Sequence, residues 1–246
     1  GTHYNHTFPY PIQTAAQKTI TAKEGTLKGW LVENFSKAEC NLFFNPFNDK
    51  YTCGLYEDVI QYDEYKTPPA GSVGFVSTFS DPVGGLNVLV DKMASQCSIK
   101  YGKRAIKVNT EAKSVLFEDG EVIWYDKLIS TIPLNILLAI CGKEDYRLPY
   151  TSVLVINIGA EKTEYTPEEH WLYEPFCNSG FYRIGFYSNV DKSKAPEGMV
   201  SLSVEMAFRG IEYKDLNVEA ICKDVIKELK KWRFIGDGDV KVIDPT

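Results

Sequence analysis

A chain of 246 residues, 44% of them hydrophobic and 13% aromatic, has the apolar content for one large core or two smaller ones, which excludes a disordered chain. Acidic residues outnumber basic ones 33 to 27, and the formal net charge of -6 excludes a broad electrostatic footprint for nucleic acid while allowing a local phosphate pocket. No apolar run reaches the roughly 18 to 20 residues that span a bilayer, and no secretory leader pattern is present, so the expectation is a soluble, cytoplasmic protein.

In chain order, the N-terminal stretch starts with Gly1 where a methionine would stand and reads as cut from something longer. FPYPIQ (8–13) holds too much proline for a helix and predicts an extended loop. From Thr26, apolar residues at Leu27, Trp30, Leu31, Phe35, Leu42 and Phe43 fall at mainly helical spacing and predict two short helices, with one break before Asn45 and Pro46. A tyrosine-rich acidic stretch then closes on the turn signal PPAG (68–71).

Gly84 and Gly85 precede a predicted helix over 86–97, with Val88, Leu89 and Met93 on its buried side. SIKYG, RAIKVNT, KSVLFEDG and EVIWYDKLIST follow as short strands with a clear turn at Glu118-Asp119-Gly120, which makes a β-meander. Pro133 opens a short helix through Leu138. Beyond it, SVLVINIGA, HWLYEP, FYRIGFYS and GMVSLSVEMAF alternate as strands whose connections are too short for helical crossovers, so the sheet is expected to be antiparallel. A helix over 218–232, with Ala220, Ile221, Val225, Ile226 and Leu229 on one face, and a strand over 239–243 complete the chain. The fold class is α/β in the α+β sense, in three stretches: a helical part (1–75), a helix with a meander (76–142), and an antiparallel sheet with its helix (143–246).

Six cysteines (Cys40, Cys53, Cys97, Cys141, Cys177, Cys222) are spread without a C-x-x-C pair or a histidine at ligand spacing, so reduced thiols and no metal site are expected. The segment HWLYEPFCNSGFYRIGFYSN (170–189) is the densest in chemistry. Two strands joined by its polar loop are expected to align several of Trp171, Tyr173, Phe181, Tyr182, Phe186 and Tyr187 on one sheet face, with a single cation, Arg183, among them. A guanidinium there suits a phosphate or carboxylate, and aromatic faces suit a flat ring. On pattern alone, core packing with Arg183 paired to an acid is the commoner arrangement. Gly84 and Gly85 before a helix allow close backbone approach to a cofactor, though by themselves they more often mark a plain turn. The G-x-G-x-x-G fingerprint and the P-loop are absent.

The order of these segments resembles the eukaryotic-type UDP-galactopyranose mutases and, more loosely, the flavin amine oxidase and protoporphyrinogen oxidase superfamily. FPYPIQ resembles that family's YPFQ, LFFNPFNDK (42–50) its LF-x-x-PYN-x-K, and FSDPVGG (79–85) its F-x-x-P-x-x-GG. VLFEDGEVIWYDKLIST, HWLYEP, GFYR and FYSN follow in matching order. The resemblance implies a partial FAD-binding domain with the meander and an antiparallel-sheet substrate domain with flanking helices. It implies chemistry on reduced FAD, which in such mutases attacks the anomeric carbon of UDP-galactopyranose and allows reclosure as a furanose, as in cell-surface polysaccharide synthesis. By the same resemblance Arg183 meets the UDP diphosphate, Trp171, Tyr173 and Tyr182 line the sugar-nucleotide site, Phe43 and Asn48 meet the uridine end, and Gly84, Gly85, Ser130 and Thr131 lie near FAD.

The sequence departs from the family in several places. Tyr62 and Lys66 stand where W-x-x-x-R is expected, Thr52 lies where a tryptophan is expected, and Val190 replaces a tyrosine. Lysine keeps the charge of the missing arginine and loses its fork. These departures keep two other readings open: an FAD-dependent oxidoreductase of the superfamily, and a non-catalytic module that binds a nucleotide-sugar or a protein. With the fingerprint missing, this stretch alone is expected to bind FAD poorly and to be inactive.

Overall fold

The computed structural model describes residues 19–60, 82–243 and 245. FPYPIQ, the PPAG turn, Tyr62 and Lys66 lie outside these residues. The chain divides into two units, one of residues 1–2 and 67–149 and the other of residues 3–66 and 150–246.

In the second of these units, helix α1 (Leu27–Asn34) starts where the Thr26 hydroxyl accepts a hydrogen bond from the Gly29 N–H at 3.1 Å. Gly29 has to be glycine, because a Cβ there would stand 2.5 Å from the Lys23 carbonyl oxygen. The chain turns at Phe35 and restarts at a reciprocal cap: the Glu39 N–H donates to the Ser36 hydroxyl, and the Ser36 N–H donates to the Glu39 carboxylate. Helix α2 (Lys37–Glu39) then runs through a π-helical turn (Cys40–Phe44) into α3 (Asn45–Tyr51).

The expected break before Asn45 and Pro46 is therefore not a break. Pro46 has no N–H to give, and it sits where the ladder shifts: the Asn45 N–H reaches the Cys40 carbonyl, and the wider turn carries the helix past the proline. Leu31, Cys40, Leu42, Leu55 and Tyr56 are buried along this helical segment.

The unit of residues 67–149 contains α4 (Leu86–Ala94), the strands β1 (Ala105–Asn109), β2 (Ser114–Phe117) and β3 (Val122–Trp124), and α5 (Leu134–Ile140). The strands form the expected antiparallel meander in the order β1-β2-β3, while SIKYG stays outside it. The Asp119 carboxylate accepts the Glu121 N–H and closes the β2–β3 turn. The predicted buried side of α4 is exposed: Val88, Leu89 and Met93 are 46%, 50% and 63% accessible. Among the described residues of this unit only Val108 and Val115 are buried apolar side chains, so the helix has no apolar layer of its own to lie on.

The larger sheet is built from β4 (Ser152–Glu161), β5 (Trp171–Tyr173), β6 (Arg183–Phe186), β7 (Met199–Phe208) and β8 (Lys241–Ile243), with the short helix α6 (Tyr187–Val190) between β6 and β7 and helix α7 (Val218–Lys231) before β8. Its order is β5-β6-β7-β4-β8 and every pairing is antiparallel. Alternation decides the two faces: Leu154, Ile156, Ile158 and Ala160 of β4 and Val200, Leu202, Val204 and Met206 of β7 join Ile184 and Phe186 in one core. Against it α7 lays Cys222, Val225 and Leu229, and Asn217 caps that helix by accepting the Ala220 N–H. Burying Val225 and Leu229 contributes about 1.5–3 kcal/mol each. The opposite face of the sheet carries Tyr173, Arg183 and Glu205, so this packing positions the site.

Candidate functional site

Strand register aligns three side chains in one row. Tyr173 on β5 stands opposite Arg183 on β6, and Arg183 stands opposite Glu205 on β7. The Arg183 guanidinium donates to one Glu205 oxygen, and the Tyr182 hydroxyl donates to the other at 2.8 Å. Burial pulls the Arg183 pKa down, but hydrogen bonds and charge from Glu205, with Tyr173 adding to them, outweigh it and leave the net shift upward. Burial and the bond to Glu205 push the Tyr182 phenol far up, so it remains a donor.

An aromatic wall faces this row. Phe43, Phe47 and Tyr51 repeat every four residues along the π turn and α3, and their rings stack at 5.4 Å and 5.5 Å between centroids. Tyr173 meets Phe47 edge-on at 5.1 Å and Phe43 at 6.3 Å, and Tyr182 meets Tyr51 at 5.2 Å. Phe43, Tyr173, Tyr182 and Arg183 are thus together, joined by Phe47, Tyr51 and Glu205, which the sequence reading did not single out. The four-residue spacing of Phe43, Phe47 and Tyr51 is the signal that could have found two of these. Glu205 carried no such signal, since only register puts it opposite Arg183.

The other expected residues fall as follows. Trp171 is 41% exposed, two residues before Tyr173 on the same strand face and opposite Gly185. Asn48 is buried, with its amide donating to the Phe44 carbonyl at 2.8 Å. Tyr62 and Lys66 lie outside the described residues.

In the unit of residues 67–149, Gly84 and Gly85 have φ of +93° and +94°, a conformation that favours glycine, and Gly85 begins α4 without a side-chain cap. This backbone fits the approach of a phosphate-bearing cofactor to a helix N-terminus. Ser130 and Thr131 are exposed in the segment between β3 and α5.

The loop between β5 and β6 is held on both sides. From α3, the Lys50 ammonium donates to the carbonyls of Cys177, Phe181 and Glu174 at 3.1, 3.2 and 3.3 Å. From α7, the Glu228 carboxylate accepts the N–H groups of Asn178 at 3.0 Å and Ser179 at 2.7 Å. Burial raises the Glu228 pKa, but its bonds from Ser179 and Asn178 and the charge of Lys50 prevail and hold it below the usual range. Neither residue was a sequence-based candidate, and both fix the hairpin that presents Tyr173 and Arg183.

A separate hollow of about 420 Å³ lies by the start of β4 and the end of β7, lined by Leu154, Phe208, Tyr213 and Leu216 among others. It is apolar and contains none of the candidate residues. Among the described residues no cluster of histidine, cysteine, aspartate and glutamate could hold a metal, and no helix is long and apolar enough to cross a membrane.

Comparison with solved structures gives a reduced UDP-galactopyranose mutase at TM-score 0.72 and 23% identity, covering 96% of this chain and 56% of that one. The PF1083 protein from Pyrococcus furiosus matches at TM-score 0.47 and 20% identity, covering 65% of this chain and 43% of that one. An oxidoreductase from Methanosarcina mazei matches at TM-score 0.46 and 15% identity, covering 66% and 42%. The chain spans about half the length of the proteins it matches. The mutase match shows a shared fold of helices and antiparallel sheets. Residues 21–245 match the family described as flavin containing amine oxidoreductase, and the chain belongs to that family.

Proposed function

We propose that this chain is the substrate domain, with the meander part of the FAD-binding domain, of a flavin-dependent sugar-nucleotide mutase acting on UDP-galactopyranose and UDP-galactofuranose. The observation that carries the reading is the row Tyr173–Arg183–Glu205 facing the stacked rings of Phe43, Phe47 and Tyr51. A nucleoside diphosphate sugar needs an oriented cation for its phosphates and flat apolar surfaces for its rings, and the row offers both. When bound, reduced flavin supplies the nucleophile that releases the sugar's anomeric carbon from UDP. Arg183 binds the diphosphate through donors that Glu205 leaves available, and Glu205 keeps the guanidinium plane from rotating. Tyr173 and Trp171 line the sugar, Phe43 lines the uridine end, and Asn48 supports that end by bracing α3. Gly84, Gly85, Ser130 and Thr131 belong to the FAD side.

A second reading rests on the same ion pair. With Glu205 beside it, the Arg183 site is close to neutral, which suits an uncharged substrate of an FAD-dependent oxidoreductase. One experiment separates them. The full-length parent containing this chain is loaded with FAD, reduced, and supplied with UDP-galactopyranose. Formation of UDP-galactofuranose supports the mutase. No furanose product, with a flavin that instead cycles between substrate and oxygen, rules the mutase out in favour of the oxidoreductase.

A further inference from the structure

Lys50 does more than bind carbonyls, because its Nζ also lies 3.0 Å from the Cys177 sulfur. Cys177 is 7% exposed, and its thiol donates to the Phe181 carbonyl at 2.9 Å. Both partners are anchored: Lys50 by three carbonyls of the 174–181 loop, and that loop by Glu228 from the far side. Among the described residues, the thiols of Cys40, Cys53 and Cys97 have backbone carbonyls as partners, whereas Cys177 also faces an amine. All six cysteines are free.

We propose that Lys50 and Cys177 are a redox-responsive modification site, at which hydrogen peroxide joins Nζ to Sγ through one inserted oxygen atom. A first peroxide oxidises the thiol: its O–O bond breaks, one oxygen forms the S–O bond of a sulfenic acid, and the other leaves as water. A second peroxide oxidises the pair. The Lys50 ammonium first gives one proton to solvent; the N–O bond then forms between the amine and the sulfenic oxygen, one N–H and the O–H are lost, and the two peroxide oxygens leave as water. In total one thiol, one amine and two peroxides give the N–O–S bridge and three waters.

A one-atom bridge spans two atoms already in contact with little movement. A direct S–N bond would draw Nζ much closer to sulfur and away from its carbonyls. Burial pushes the Cys177 thiol up, the bond and charge of Lys50 pull it down, and Glu228 and Glu174 raise it again, so oxidation quickens with rising pH. The bridge fastens the β5–β6 loop covalently to α3, the helix that carries Phe47 and Tyr51. It therefore locks the two elements that frame the aromatic row.

The test treats the 246-residue chain with hydrogen peroxide and maps its tryptic peptides by mass spectrometry. The expected product is a Lys50 peptide joined to a Cys177 peptide, heavier than their sum by one oxygen less two hydrogens. Trypsin no longer cleaves after Lys50, and dithiothreitol reverses both changes. Lys50→Arg keeps a cation for the carbonyls and removes the primary amine, so the joined peptide is lost while the near-ultraviolet dichroism stays native. Should that variant fail to fold, Cys177→Ser gives the same loss. The proposal is overturned if peroxide leaves Lys50 cleavable in the wild-type chain while Cys177 stays reduced or carries only sulfenic or sulfinic acid.

Discussion

Arg183 illustrates how one side chain's role depends on its neighbours. Its guanidinium is oriented by Glu205, which in turn is held by Tyr182, so the cation is presented in a fixed plane. In the full-length parent, Arg183→Ala is expected to raise KM for a UDP-sugar about 10- to 100-fold, the equivalent of losing a charge-assisted hydrogen bond. Arg183→Lys recovers part of that loss, and steady-state kinetics on the two variants measures both. Tyr182 and Tyr56 make a second prediction, because burial pushes both phenols well above the ordinary value. A raised folded-state pKa contributes stability that is present below the unfolded value, about 10, and is lost as pH rises toward the folded one. Denaturation midpoints should therefore fall above about pH 10. Tyr182→Phe should show a shallower alkaline fall than the wild-type chain, and equal slopes would refute the assignment.

At the scale of elements, the β5–β6 hairpin depends on supports from α3 and α7 that are distant in sequence. Glu228 has a depressed pKa, so its contribution is present above the unfolded value near 4.3 and disappears as pH falls through the folded one. Glu228→Gln is expected to weaken the loop at neutral pH and to flatten the acid limb of the stability profile, measured by urea denaturation across pH. The α7 face offers a further prediction: Leu229→Ala removes a fully buried side chain and should cost about 2–5 kcal/mol. The helices and strands themselves were largely legible. The alternation in SVLVINIGA, the apolar stripe of α7 and the Glu118-Asp119-Gly120 turn each express a local rule, and the structure follows them except at Ala220, which is exposed while Cys222 is buried on that helix. The continuous passage of α2 into α3 was not legible, because a π turn that accommodates Pro46 depends on one shifted backbone bond and leaves no periodic mark.

For the whole molecule, stability is unevenly spread. The large sheet with α7 has one continuous core, whereas the unit of residues 67–149 leaves Val88, Leu89 and Met93 uncovered. Hydrogen exchange should show the amides of β4 and β7 opening only with global unfolding, and those of α4 opening locally at lower free energy. Comparable protection of α4 would contradict this picture. The sequence by itself determined most element types, the antiparallel alternation and the family, because periodicity, turn residues and ordered motifs are properties of neighbours along the chain; it missed the π turn, the irregular course of SIKYG and the helical turn Tyr187–Val190 at the end of the expected strand FYRIGFYS. It also marked Arg183 and its aromatics as a cluster, with core packing and ligand binding both open. Only the tertiary structure decided that Arg183 is paired with Glu205, that Phe47 and Tyr51 complete the wall, and that Lys50 meets Cys177. The Arg183–Glu205 and Lys50–Cys177 relations join residues 22 and 127 positions apart, and strand register and helix docking, rather than local pattern, set which side chains meet across such spans.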